Sequence, residues 1–278
     1  LKARHYEIFR GRLEKAGMLE QADDFVKASG ALAAICYRED MELALRTPGF
    51  GGFQLLDIMD FPGQGTAPVG MLNVFMESKG VIEPAEWRES CSPVVPLLRT
   101  EKLAWTTDET FTGRVQIAHY GADDLSNARV IVTINGDDST AFTFPPQTLK
   151  RGGICDVGAY SLALGSKNIH TPQKLSLTVS IDGTAIRNTY PLWIYPPKTD
   201  TTPPDGVIVS RSLGDTQTKA HLDKGGKVLL LPEMSKLPRS VPGMFQTEFW
   251  SPMFAQSAVK RGIEPPLGTL GILCDPKH

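Results

Sequence analysis

Leu175-Ser-Leu-Thr-Val-Ser-Ile-Asp-Gly183 decides the central part of the fold. Leu175, Leu177, Val179 and Ile181 alternate with Ser176, Thr178 and Ser180, the period of a strand with one buried face. Asp182-Gly183 then supplies the residues a tight hairpin turn needs. After the turn, Tyr190, Leu192 and Ile194 alternate in the same way, and Pro196-Pro197 ends the series. Working back toward the N-terminus, Val115 and Ile117 alternate with Arg114 and Gln116, and Val130, Val132 and Ile134 run into Asn135-Gly136. Short alternating strands spaced by turn residues over residues 100–200 predict an immunoglobulin-like antiparallel β-sandwich. Cys155 has no partner cysteine in this region, so the antibody-type disulfide is not expected.

On either side of that region the period changes. Tyr6, Phe9, Leu13 and Ala16 recur at helical spacing up to Gly17. A second helical segment is expected from about Leu19 to Ser29. A third, after Gly30, carries Ala34, Tyr37, Met41 and Leu45 on one face and stops before Pro48. Phe53-Gln-Leu-Leu-Asp-Ile58 is a short apolar run, which reads as a strand buried on both faces. The turn-rich loop Asp60-Phe-Pro-Gly-Gln-Gly65 follows, then Val69, Leu72, Phe75 and Met76 at helical spacing. Pro84 suits the first turn of a short helix that bears Trp87 and Cys91. Residues 1–99 thus read as a unit of an α/β fold. Beyond a Thr- and Pro-rich linker at 198–205, Val207-Ile-Val209, a helix near 214–224 and Lys227-Val-Leu-Leu-Leu231 make a βαβ unit. Residues 205–278 therefore read as an incomplete α/β domain. The fold class expected is multidomain, α/β plus all-β.

Composition is that of an ordinary globular chain: 278 residues, 41% hydrophobic and 22% charged. The formal net charge of −2 gives no electrostatic case for nucleic acid. No apolar run approaches the ~20 residues that span a bilayer. Cys36, Cys91, Cys155 and Cys274 form no CxxC pair, and the five histidines have no ligand spacing, so neither a metal nor a cofactor is expected. The chain opens inside a helical pattern and ends abruptly, so neither end is expected to be a domain edge.

A family likeness emerges at Arg46-Thr-Pro-Gly-Phe-Gly-Gly-Phe-Gln-Leu-Leu-Asp-Ile-Met-Asp-Phe-Pro-Gly-Gln-Gly-Thr66. This stretch resembles the last strand and loop of a glycoside hydrolase family 2 barrel, of β-galactosidase or β-glucuronidase type. Ala16-Gly-Met-Leu, Ala28-Ser-Gly30, Cys91-Ser-Pro-Val-Val-Pro96 and Asn188-Thr-Tyr-Pro-Leu-Trp-Ile-Tyr-Pro196 resemble the same group, so the likeness runs from about residue 5 to about 275. It implies a (β/α)8 barrel flanked by β-sandwiches, and retaining hydrolysis of β-glycosides by two glutamates. By the same likeness both glutamates are expected upstream of Leu1, so residues 1–99 would be the end of the barrel and the chain itself inactive. The last domain resembles glutamine-amidotransferase-like domains appended to some glycosidases. A periplasmic or secreted parent is the expectation, with a carbohydrate substrate and self-association through the barrel remnant. The other class of function is a carbohydrate-binding or scaffolding module without catalysis.

No catalytic residue is assigned. Asp60 and Gln64 are the candidates for substrate contact, because barrel enzymes build their sites from loops after strands. Asp57 is a weaker candidate, and both aspartates have a plainer use in capping a turn. Asp57 and Asp60, three residues apart, cannot flank a glycosidic bond from two sides as paired acid and base. Pro62-Gly-Gln-Gly65 lacks the Lys-Ser/Thr of a phosphate-binding loop. Trp87, Trp105, Trp193 and Trp250 have the area to stack on sugars, but packing is the simpler role for each.

Overall fold

The computed structural model describes residues 4–56, 58–63, 69–167, 169–197, 200–233 and 237. They fall into two compact units, one running to Pro197 and one after it. β-structure predominates, with few helices. Among the described residues there is no closed barrel.

The centre of the first unit is a β-sandwich. One sheet has the order β1 (Val94–Thr100), β3 (Thr110–His119), β8 (Gly153–Ala163), all antiparallel. The other has the order β2 (Ala104–Thr106), β10 (Arg187–Tyr195), β9 (Gln173–Ile181), β5 (Val130–Ile134), β6 (Asp137–Thr143). β2 joins β10 in parallel. A two-stranded ribbon, β4 (Leu125–Ala128) with β7 (Gln147–Leu149), completes the unit's strands.

The alternating pattern does what its period requires. Leu175, Leu177, Val179 and Ile181 of β9 are all buried, and Ser176, Thr178 and Ser180 are less so. They meet Phe111, Val115 and Ile117 of the facing sheet in one core. Each such side chain contributes roughly 1.5–3 kcal/mol on full burial. Trp105, Phe111 and Tyr160 add edge-on and tilted ring contacts, with centroids 5.4 and 6.1 Å apart. The Asn135-Gly136 turn has φ of +54° and +69°, which is why those residue types occupy it.

Ahead of the sandwich lie α1 (Arg4–Lys15) and α2 (Ala22–Leu45), joined by a short 3-10 turn. α2 corrects the expected break at Gly30, since the helix continues through it. A Cβ there would stand 2.3 Å from Val81 Cγ1, so the glycine serves a close approach of chains rather than a stop. The run Phe53–Ile58 is corrected too. Its described residues form no strand, and Leu56 is 77% exposed. A strand buried on both faces needs hydrogen-bonded neighbours. Among the described residues the chain offers one isolated bridge just past this run, Met59 to Leu72. Val69–Met76, expected as helix, is a series of turns, and Met76 sits at φ +65°. The short helix α3 (Pro84–Ser90) is present with its proline in the first turn.

In the second unit β11 (Val207–Ser210), α4 (Thr216–Asp223) and β12 (Lys227–Leu230) form the expected βαβ, with the two strands parallel and in register Val207 to Lys227. Ser210 and Thr218 are buried and share a 2.7 Å hydroxyl bond.

Candidate functional site

The sequence-predicted site centres on Asp60. Its backbone N–H donates to Leu72 O at 3.0 Å, which fixes the loop against the chain beyond it. Its side chain is largely buried. Oδ1 accepts from Gly70 N at 3.0 Å and from Lys79 Nζ at 2.6 Å. Gly70 has no room for a side chain, since a Cβ would lie 2.3 Å from the Met59 carbonyl carbon. Burial, and then the Asp60 charge, raise the Tyr6 phenol above its usual range. Asp60 therefore organises its own loop, drawing Gly70 and Lys79 onto one carboxylate oxygen. Gln64 and Asp57 lie outside the described residues.

A second polar centre lies where α2 meets the sandwich. Glu42 is fully buried, and so is Asn188. Arg38 and Glu42 on α2, and Arg46 at its C-cap, stand one turn apart, so all three project from one face. Glu42 Oε1 accepts from Arg38 Nε at 3.1 Å and from Asn188 Nδ2 at 2.8 Å. Oε2 accepts from Arg46 Nη2 at 2.5 Å and from Tyr190 Oη at 2.8 Å. Four donors thus surround one carboxylate, the condition under which a buried charge is tolerated. The Arg38 guanidinium also lies 4.6 Å from the Tyr190 ring centroid and donates to Asn188 Oδ1 at 2.7 Å. Burial is the main cause that pushes the Tyr190 phenol well above its ordinary range, and the Glu42 charge adds to it.

The same cluster finishes an edge strand. β1 pairs with β3 on one side only. On its open side Leu98 N donates to Tyr190 Oη at 3.2 Å, Leu98 O accepts from Arg46 Nη2 at 3.1 Å, and Pro96 O accepts from Asn188 Nδ2 at 2.8 Å. Unpaired strand edges are otherwise costly when buried. The helix covers the outer face of the strand, where Val95, Leu97 and Ala118 pack with Leu45. α3 makes a parallel attachment to β10. Glu89 accepts from Arg187 Nε at 3.0 Å and from Thr189 N at 2.9 Å.

Sequence reasoning missed this centre. The available signal was the i, i+4 series Arg38, Glu42, Arg46, with Glu42 beside the buried-face residue Met41. Its partners Asn188 and Tyr190 are about 150 residues away along the chain, a distance no local pattern bridges. The tryptophans pack: Trp105 is buried, Trp87 stands 6.0 Å from Tyr37, and Lys174 Nζ lies 5.4 Å from the Trp193 ring. Trp250 lies outside the described residues. Among the described residues no group of three or more His, Cys, Asp and Glu could hold a metal ion. No described helix is long and apolar enough to cross a membrane.

Residues 109–196 match a family described as Domain of unknown function (DUF8488), and residues 209–278 one described as Domain of unknown function (DUF8487). No curated protein sequence matches the chain. Among solved structures, a CARDB domain from Pyrococcus furiosus is similar at 12% identity and TM-score 0.30, over 37% of this chain and 94% of that one. The sporulation control protein Spo0M from Bacillus subtilis is similar at 14% identity and TM-score 0.28, over 39% and 51%. A β-glucosidase from Listeria innocua in complex with glucose is similar at 10% identity and TM-score 0.25, over 38% and 17%. Likenesses at these TM-scores do not establish a shared fold for the whole chain.

Proposed function

We propose that this chain is the C-terminal, supporting part of a retaining β-glycoside hydrolase acting on oligo- or polysaccharide. In this reading residues 1–99 are the end of the parent's catalytic barrel, residues 100–200 an immunoglobulin-like sandwich, and residues 205–278 an incomplete amidotransferase-like domain. The family likeness at Arg46–Thr66 supplies the chemistry. The observation that carries the supporting role is the Glu42 cluster. It fixes one side of the N-terminal segment to the sandwich and leaves another surface open. In that segment Ile8, Leu56, Phe61 and Phe75 are each between 49% and 78% exposed. Large apolar side chains left in water favour a partner. The partner in this reading is the rest of the barrel, and in its absence a second copy.

Asp60 would then hold its loop in shape beside the parent's sugar site, with Gln64 as the second candidate for sugar contact. The purified 278-residue chain is expected to give no hydrolysis of aryl β-glycosides. The polypeptide translated from upstream in the same reading frame, joined to it, is expected to give hydrolysis with retention. Turnover by the shorter chain, or an inactive longer one, overturns the proposal. A non-catalytic carbohydrate-binding or scaffolding module is the other class of function. It gains if residues 100–278 by themselves bind oligosaccharides in calorimetry.

A further inference from the structure

A cavity of about 490 Å³ lies between α3 and the β9–β10 hairpin, with neither Asp60 nor Glu42 in its lining. Pockets of this size are typical of small-molecule sites. Arg88 and Glu89 enter it from α3, and Ser180, Thr184, Ile186 and Arg187 from the hairpin. Its charge balance is unequal. The one carboxylate is already committed, because Glu89 Oε1 takes the Nε–H of Arg187 and Oε2 takes the backbone N–H of Thr189. Glu89 is 9% exposed, while the Arg187 side chain that it holds is 60% exposed and reaches toward solvent. Arg187 is held by its Nε, and neither of its terminal nitrogens has a hydrogen-bond partner among the described residues. Arg88 is tethered by one weak bond, Nη1 to Pro84 O at 3.3 Å. Two guanidinium groups with donors to spare therefore face a space whose own acid is spent. Guanidinium donors in that state match the two oxygens of a carboxylate, or those of a sulfate. Ile186 and the nearby alanines 85 and 185 give the same space an apolar wall. Of the hydroxyls beside that wall, Thr184 Oγ1 already donates to Ile181 O at 2.7 Å and Ser92 Oγ to Val94 O at 3.0 Å, which leaves Ser180 to meet the polar edge of a sugar ring whose apolar face lies on the wall.

We infer that this cavity binds an oxyanion-bearing sugar residue, a uronate or a sulfated one, with Arg88 and Arg187 holding the charged group. The sugar part of the inference rests on the carbohydrate reading above, and the anion part rests on the two arginines alone.

Titration calorimetry of the whole chain tests it with four probes: a glucuronate-containing disaccharide, a sulfated disaccharide, a neutral disaccharide of the same size, and free acetate or sulfate. Saturable binding of either charged disaccharide, without binding of the neutral one, is expected. Arg88→Ala and Arg187→Gln should each weaken it about tenfold or more, the loss of one charge-assisted pair. Arg88 makes no contact that the fold depends on, so its variant remains informative if Arg187→Gln disturbs the Glu89 attachment. Absence of binding by both charged disaccharides at millimolar concentration overturns the inference. So do equal binding of the neutral sugar, equal binding of the free ions, or an Arg88→Ala variant that binds as tightly as the wild type. The hydrolysis assay that decides parentage does not involve this cavity, so the two proposals fail separately.

Discussion

Replacing Glu42 by Ala is the perturbation that probes this structure most directly. The carboxylate accepts four hydrogen bonds, and its removal strips an acceptor from Arg38, Arg46, Asn188 and Tyr190 together. Removing one partner of a buried ion pair costs about 3–5 kcal/mol, since the remaining charge stays desolvated. The two arginine side chains are 20% and 21% exposed, so water relieves part of that cost. The low end of the range, about 3 kcal/mol, is therefore expected. In a unit of nearly 200 residues this lowers the melting temperature by roughly 6–12 °C. Thermal unfolding followed by circular dichroism measures it. Glu39→Ala is the control. Glu39 approaches Arg46 only at 3.9 Å and is 54% exposed, so its loss should cost at most about 0.5 kcal/mol. Tyr190→Phe leaves Leu98 N without its buried partner and should cost about 1–3 kcal/mol. Combined with Glu42→Ala, it should give a total smaller than the sum of the two, because the variants share a bond. A Glu42→Ala protein as stable as the Glu39→Ala control would refute the argument that this cluster fastens α2 to the sandwich.

The raised Tyr190 phenol has a consequence at high pH. Its folded pKa lies above the unfolded value near ~10, so its contribution is complete below that pH and is lost as pH climbs through the folded pKa. The stability gap between wild type and Tyr190→Phe should shrink above about pH 10 in urea titrations, and a constant gap would contradict it. Asp60→Asn should speed hydrogen exchange at the Gly70 amide, which Asp60 now holds, while leaving the amides of β9 unchanged; exchange mass spectrometry reads both. Gly183 sits at φ +70° in open space, so Gly183→Ala should cost about 1–2 kcal/mol by backbone strain alone, measured by urea unfolding. Arg114→Ala should leave the thermal unfolding midpoint at the wild-type value in circular dichroism, because the pair with Asp156 is 56% and 46% exposed and solvent screens it.

The period-two stretches fixed their own structure. Leu175–Ile181 and Tyr190–Ile194 form adjacent strands of one sheet, and the Asn-Gly and Asp-Gly turns stand where their positive φ is needed. Alternation and turn chemistry are local properties, so one sequence carries them in full. The βαβ of the second unit was legible from its order, two short apolar runs set either side of a helical stretch and Gly225-Gly226. Phe53–Ile58 was misread because a continuous apolar run has no period to separate strand from irregular chain, and only neighbouring strands decide it. Gly30 was misread as a stop because its partner, Val81, is fifty residues away.

The sequence by itself thus determined which segments alternate and where the chain turns, while the i, i+4 face of Arg38, Glu42 and Arg46 passed unread in it. Tertiary structure alone decided that this face meets Asn188 and Tyr190, that it completes the open edge of β1, and that Asp60 is spent on Gly70 and Lys79. Burial turns those same polar residues from solvated charges into obligatory partners, and burial is a property of the folded chain as a whole.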